Sequence, residues 1–136
     1  MSTRRKSREA AVQMLYQMDV SGVDASTAIA TYWATLAPKS EGREFADELV
    51  QGLAQASERI DALIRDTSKH WRLERMARVD RNVIRLAIYE LLERPDIPRK
   101  VTINEAIELA KRFGDENSPA FVNGVLDRIA ETLNKE

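Results

Sequence analysis

Four cations crowd the start of the chain. Arg4, Arg5, Lys6 and Arg8 fall within eight residues that contain no acid, in a 136-residue sequence whose 21 basic and 22 acidic side chains otherwise nearly cancel, to a net charge of −1. A cluster of this kind binds phosphates by displacing condensed counterions from a nucleic-acid backbone, and Arg adds a planar fork that grips phosphate or stacks on a base. On a helix beginning near Thr3 the four would fan around more than half the circumference, with at least three reaching solvent. Cations at a helix N-terminus oppose the macrodipole at a cost of a few tenths of a kcal/mol each, roughly, so they do not serve helix stability. The same charges also fit a solvated, frayed terminus.

Phe121 is a second residue with a binding chemistry. It precedes the apolar spacing Val122, Val125, Leu126, Ile129 and falls at or beyond the edge of that stripe. An aromatic there, beside Asn117, Ser118 and Asn123, can stack on an unpaired base while its neighbours bond to base edges. An edge-of-core Phe gives the same pattern.

Catalytic and metal chemistry finds little to work with. There is no cysteine and one histidine, His70, which is expected at the surface; a zinc site or a two-imidazole centre lacks its ligands. No Gly-rich phosphate loop occurs. Glu105 and Glu108 lie three apart on one helix, but ordinary exposed carboxylates look the same. The expectation is a non-enzymatic chain with no cofactor and no metal. The short, Gln- and Asp-broken apolar stretch after the basic start is unlike a signal peptide, and no run approaches membrane-spanning length, which together with the missing cysteine points to the cytoplasm.

The elements that must position these residues read as helices. Thr3 to about Val20 is free of Gly and Pro and carries Ala11, Leu15 and Met18 at helical spacing, with Val12 and Tyr16 beside them; Gly22 ends it. Asp24 or Ser26 can cap a second helix with Ala28, Ile29, Tyr32, Trp33 and Leu36, stopping before Pro38. A third, from Phe45 to Ile64, keeps its spacing for about five turns, with Gly52 as a possible bend. Met76 to Leu91 is the most apolar and should be central, ending near Arg94 before Pro95 and Pro98. Thr102 and Glu105 have capping-box spacing, and Gly114 is placed as a left-handed cap. Ser118-Pro119 opens the last helix. With no sustained period-two alternation, the sequence predicts an all-α chain of about seven helices, 1–136 forming a single domain.

Three blocks carry a family resemblance. Lys6-Ser7-Arg8-Glu9-Ala10-Ala11-Val12-Gln13-Met14-Leu15-Tyr16 resembles the first-helix signature of NusB proteins, and Arg75 to Leu91 resembles that family's longest helix. The stretch Ile97-Pro98-Arg99-Lys100-Val101-Thr102-Ile103-Asn104-Glu105-Ala106-Ile107-Glu108-Leu109-Ala110-Lys111-Arg112-Phe113, followed by Phe121-Val122-Asn123-Gly124-Val125-Leu126, is the most specific. Residues 20–66 match poorly.

The resemblance implies a seven-helix fold of two packed helical subdomains. It implies binding of the single-stranded boxA element of ribosomal RNA leaders together with NusE, a small-subunit ribosomal protein that doubles as a transcription factor, so that RNA polymerase in its antitermination complex reads through termination signals. Carried over by position, Arg4, Arg5, Lys6 and Arg8 match the arginine-rich RNA-contacting start, and Asn117 and Phe121 match the RNA-facing edge of the last helix. Lys6 stands where Arg is usual, a point charge in place of a fork. Glu74, Asp80 and Arg81 fall where the family faces its protein partner, or are solvated charges. Asn104 and Gly124 are expected to shape the fold, with Gly124 letting a helix approach closely. Two other readings stay open: the RNA-binding module of a ribosomal RNA cytosine methyltransferase, which expects a catalytic domain beyond Glu136, and a helical protein-interaction module with an incidental basic tip.

Overall fold

Helix α1 runs over Thr3–Ser21 and ends where the sequence places its stop: Gly22 takes the left-handed region at φ 73°, and its N–H donates to the Met18 carbonyl at 2.8 Å. The computed structural model describes residues 3–36, 41–67 and 72–135. Pro38, His70 and Glu136, named above, lie outside them.

Asp24 caps α2 (Ala25–Thr31), its carboxylate accepting the Thr27 N–H at 2.8 Å, and the helix continues into a π-helical turn over Tyr32–Leu36. Then follow α3 (Arg43–Thr67), a 3-10 turn at Leu73–Arg75, α4 (Arg78–Glu93), α5 (Arg99–Phe113) and α6 (Ser118–Thr132). No strand occurs among the described residues, as expected, and six α-helices stand where about seven were predicted.

Helix α4 packs against α1, α3, α5 and α6, so it belongs both to a group built on α1–α3 and to a group built on α4–α6. Its Val83, Ile84, Leu86, Ala87, Ile88 and Leu91 are all buried, which bears out its central place. The apolar core draws on all six helices. Each fully buried Leu or Ile contributes about 1.5–3 kcal/mol, so this shared core holds the basic end of α1 in a fixed relation to α5 and α6.

Several local readings are corrected. The Thr102–Glu105 capping box does not form, because α5 starts three residues earlier, after extended Pro98; Thr102 is buried inside the helix and Glu105 reaches across to α1. Gly114 is not left-handed, at φ −96°. A side chain there would meet Ser118 Oγ and the Ala110 carbonyl, so the need is for space. The cap of α6 comes from Asp115, whose Oδ1 accepts the N–H groups of Asn117 and Ser118 at 2.8 and 3.1 Å, while Ser118 is buried. Asn104 is exposed, and Gly124 is exposed with nothing within 4 Å of where a Cβ would sit, so no helix approaches it.

Gly52 does not break α3. A Cβ at this position would run into the ring and hydroxyl of Tyr89, which packs over the glycine from α4. Gly52→Ala is therefore expected to destabilise the protein by about 1–2 kcal/mol, overpacking outweighing the gain in helix propensity, as a lower urea midpoint at unchanged m would show.

Candidate nucleic-acid interface

The first turns of α1 divide their four cations between solvent and core. Arg4 is exposed, its guanidinium 4.8 Å from the centroid of the Phe45 ring, and it has no ion pair among the described residues. Lys6 is partly exposed, with its ammonium 3.8 Å from Glu41, a loose surface contact. Arg5 lays its fork on Glu105 of α5, at 3.1 and 2.6 Å, while keeping its side chain 41% exposed. Those hydrogen bonds hold the Glu105 carboxyl below its usual range against partial burial.

Arg8 is the correction. Expected at the RNA surface, it is 4% exposed, and its guanidinium forks onto Glu90 of α4, itself 2% exposed, at 2.9 and 2.8 Å. Glu105 lies 3.6 Å away and the Phe45 ring 5.6 Å away. Arg8 thus bolts the basic helix to the core and leaves Arg4, Arg5 and Lys6 as the solvent-facing set, the three of four that the helical fan requires.

Ring contacts explain how this end is shaped. Phe45, at the start of α3, lies under the guanidiniums of Arg4, Arg8 and Arg94, the last at 5.0 Å. Cations over a ring face are attracted by its quadrupole, which gives the long Arg4 side chain a preferred position. At the start of α6, Asn117 is exposed and Phe121 is half-buried, packed against the core. This is the edge position that its sequence spacing implies.

The second expected face is more buried than foreseen. Glu74 is exposed and pairs with Arg65 at 3.3 Å. Arg81, only 14% exposed, donates to Asp19 of α1 at 2.6 Å, and Asn82 donates to the same oxygen at 3.2 Å. Burial would raise the Asp19 carboxyl, but the bonds from Arg81 and Asn82 outweigh it and leave the group below its ordinary value. Asp80, expected as a solvated or partner-facing charge, is 8% exposed, and its Oδ1 has no hydrogen-bond partner among the described residues.

Two residues escaped the reading of the sequence. Tyr16 and Val20, at 41% and 47% exposure, are among the few large apolar side chains left in solvent. They lie four apart, on one face of α1 next to that of Asp19. Tyr16 was placed beside the stripe of Ala11, Leu15 and Met18, and only its four-residue spacing to Val20 could have marked the two as a separate face. An ion pair bridging α1 to α4 and an adjoining apolar pair make a surface suited to a protein partner.

The family model described as the NusB family matches residues 5–131. The chain is 53% identical to the transcription antitermination protein NusB of Sorangium cellulosum over 135 residues, 99% of this chain and 96% of that one. It is 51% identical to the protein of the same name from Myxococcus xanthus, covering 99% of each. Among solved structures, T. maritima NusB superposes with a TM-score of 0.85 at 42% identity, over 96% of this chain and 92% of the other. A chain from the crystal structure of the antitermination factors NusB and NusE in complex with dsRNA superposes with a TM-score of 0.87 at 27% identity, over 97% and 98%.

Proposed function

This chain belongs to the NusB family, and we propose that it is a transcription antitermination factor whose basic α1 tip and α6 edge grip boxA-type RNA while a second face engages NusE. The observation that carries the reading is the division of labour at the tip. Arg8 is spent on holding α1 to the core, and Arg4, Arg5 and Lys6 are held outward. Such a cluster supplies affinity through counterion release, and Phe121 with Asn117 at the α6 edge supplies a ring and an amide for unpaired bases.

The protein-facing side is Asp19, Asp80 and Arg81 with the exposed Tyr16 and Val20, and Glu74 lies beyond it on the 3-10 turn. The Asp19–Arg81 ion pair beside exposed Tyr16 and Val20 offers a partner both charge and apolar contact. The mechanism is assembly without covalent chemistry, in the cytoplasm where transcripts are made, with the chain acting as one unit within the antitermination complex of RNA polymerase. No helix among the described residues is long and apolar enough to cross a membrane.

Two weak surfaces presented jointly bind more tightly than either alone, because the second contact becomes intramolecular. Titrating a boxA-type RNA with this chain alone, with NusE alone and with both is expected to give at least about tenfold tighter binding by the pair. Equal affinity with and without NusE contradicts the reading.

A further inference from the structure

Between α1, the Tyr32–Leu36 turn and the end of α5 lies a cleft of about 400 Å³, lined by Lys6, Glu9, Gln13, Tyr32, Trp33 and Arg112 among others. Lys6 belongs to the basic tip. Arg112 stands at the end of α5, two residues before the Gly114–Ser118 turn that leads to Asn117 and Phe121. The cleft therefore adjoins both parts of the RNA surface proposed above.

Its chemistry suits an uncharged, planar, polar group. Lys6 and Arg112 face Glu9 and Glu41, with Arg112 Nε 3.3 Å from Glu9, so the formal charges cancel. A phosphate gains nothing from such an interior, but a nucleobase does not need net charge. Trp33 is buried and held by a 2.7 Å bond from its indole N–H to Asp47, and it meets Tyr32 edge to face, with centroids 5.0 Å apart at 89°. The Tyr32 ring is thereby fixed in place.

The hydrogen-bonding groups are also fixed. The Gln13 amide nitrogen donates to the Glu9 carbonyl at 3.2 Å and to the Tyr32 hydroxyl at 3.3 Å. A carbonyl can only accept, so the amide orientation is set, and its oxygen is left without a donor among the described residues. Burial first, with the Glu9 charge nearby, raises the Tyr32 phenol above its ordinary value, so it stays protonated, and its proton has no acceptor among the described residues. One acceptor and one donor thus stand side by side next to an immobilised ring.

We propose that this cleft receives one unpaired nucleobase of the bound RNA, packed against Tyr32 and hydrogen-bonded by the Gln13 carbonyl and the Tyr32 hydroxyl. The site rests on the RNA-binding reading and adds a base-reading position between the α1 tip and the α5–α6 corner. Lys6, which the cleft shares with the basic tip, joins it to the outward cations that hold the flanking backbone.

The test uses the full chain with NusE and a set of boxA-type RNAs, each with one nucleotide made abasic, against the wild type, Gln13→Ala and Tyr32→Phe. Gln13 is exposed and Tyr32→Phe keeps the ring, so both variants should fold, as circular dichroism will show. In the wild type one abasic position should weaken binding roughly tenfold. Each variant should weaken binding of intact RNA roughly three- to tenfold and show a smaller penalty at that one position, the other positions being unchanged. If the wild type binds RNA but both variants reproduce its abasic profile and affinity, the cleft proposal fails and the RNA surface stands. If the wild type binds no RNA, both fail. A variant that weakens NusE binding in the absence of RNA assigns the cleft to the protein partner and also overturns the proposal.

Discussion

Arg8→Ala is expected to cost about 3–5 kcal/mol of stability, a large share of the about 5–15 kcal/mol that keeps a domain folded. The guanidinium of Arg8 and the carboxylate of Glu90 are both almost wholly removed from water and bonded through two parallel hydrogen bonds. Truncating the cation leaves Glu90 charged, buried and without its fork, and Glu105 loses its second cation. The penalty comes from the abandoned carboxylate more than from the pair's intrinsic attraction, since two ions taken out of water repay little more than their desolvation. Replacing both, Arg8→Met with Glu90→Leu, should therefore recover most of the loss. Urea unfolding of the two single variants and the double variant measures this directly. Folded Arg8→Met/Glu90→Leu protein should keep RNA affinity close to wild type, because Arg8 does not face solvent. A sharp loss of RNA binding in a stable double variant would return Arg8 to the RNA surface.

The burial of Arg8 shows where the sequence could be read and where it could not. Arg8 stands on the same stripe as Ala11, Val12 and Leu15, and Glu90 continues the stripe of Val83 and Ala87, so each charge interrupts an apolar face. Two opposite charges on two buried faces are a legible hint of a pair. Their meeting across 82 positions is not, because it depends on how α1 crosses α4. The same holds for Glu105. Its spacing from Thr102 is that of a cap, but α5 extends back to Arg99, and a tertiary bond to Arg5 takes the carboxylate instead. Helix existence and the inward residues of α4, α5 and α6 follow from periodicity, which is local. Gly52 and Gly114 are set by what packs over them, which periodicity does not contain.

At the candidate site, the exposed position of Arg4 and the half-buried edge position of Phe121 were legible from helical geometry. The reading of Asp80 as a solvated charge was not sustained. Its place in the first turn of α4 suits the positive end of the helix dipole, but α4 is central, and even its opening turn is enclosed. Tyr16 and Val20 were missed because an exposed apolar residue is unremarkable one at a time. They gain meaning only as a pair beside Asp19 and Arg81.

The second large effect concerns the three outward cations. Replacing Arg4, Arg5 and Lys6 together by Ala removes the charges that Arg8 holds in place, while Glu105 keeps Arg8 at 3.6 Å and the core is untouched. Helical circular dichroism should stay near wild type. On single strands each phosphate contact contributes about 0.7 to the slope of log affinity against log salt, so the variant's slope should fall by about 2. Its affinity near physiological salt should drop by roughly ten- to a hundredfold. The direct measurement is the affinity of wild type and triple variant for a boxA-type RNA, each with NusE, at two salt concentrations. The wild type should show a steep salt dependence and the variant a shallower one with much weaker binding; equal affinities with equal salt dependence would contradict an RNA-gripping role for the α1 tip.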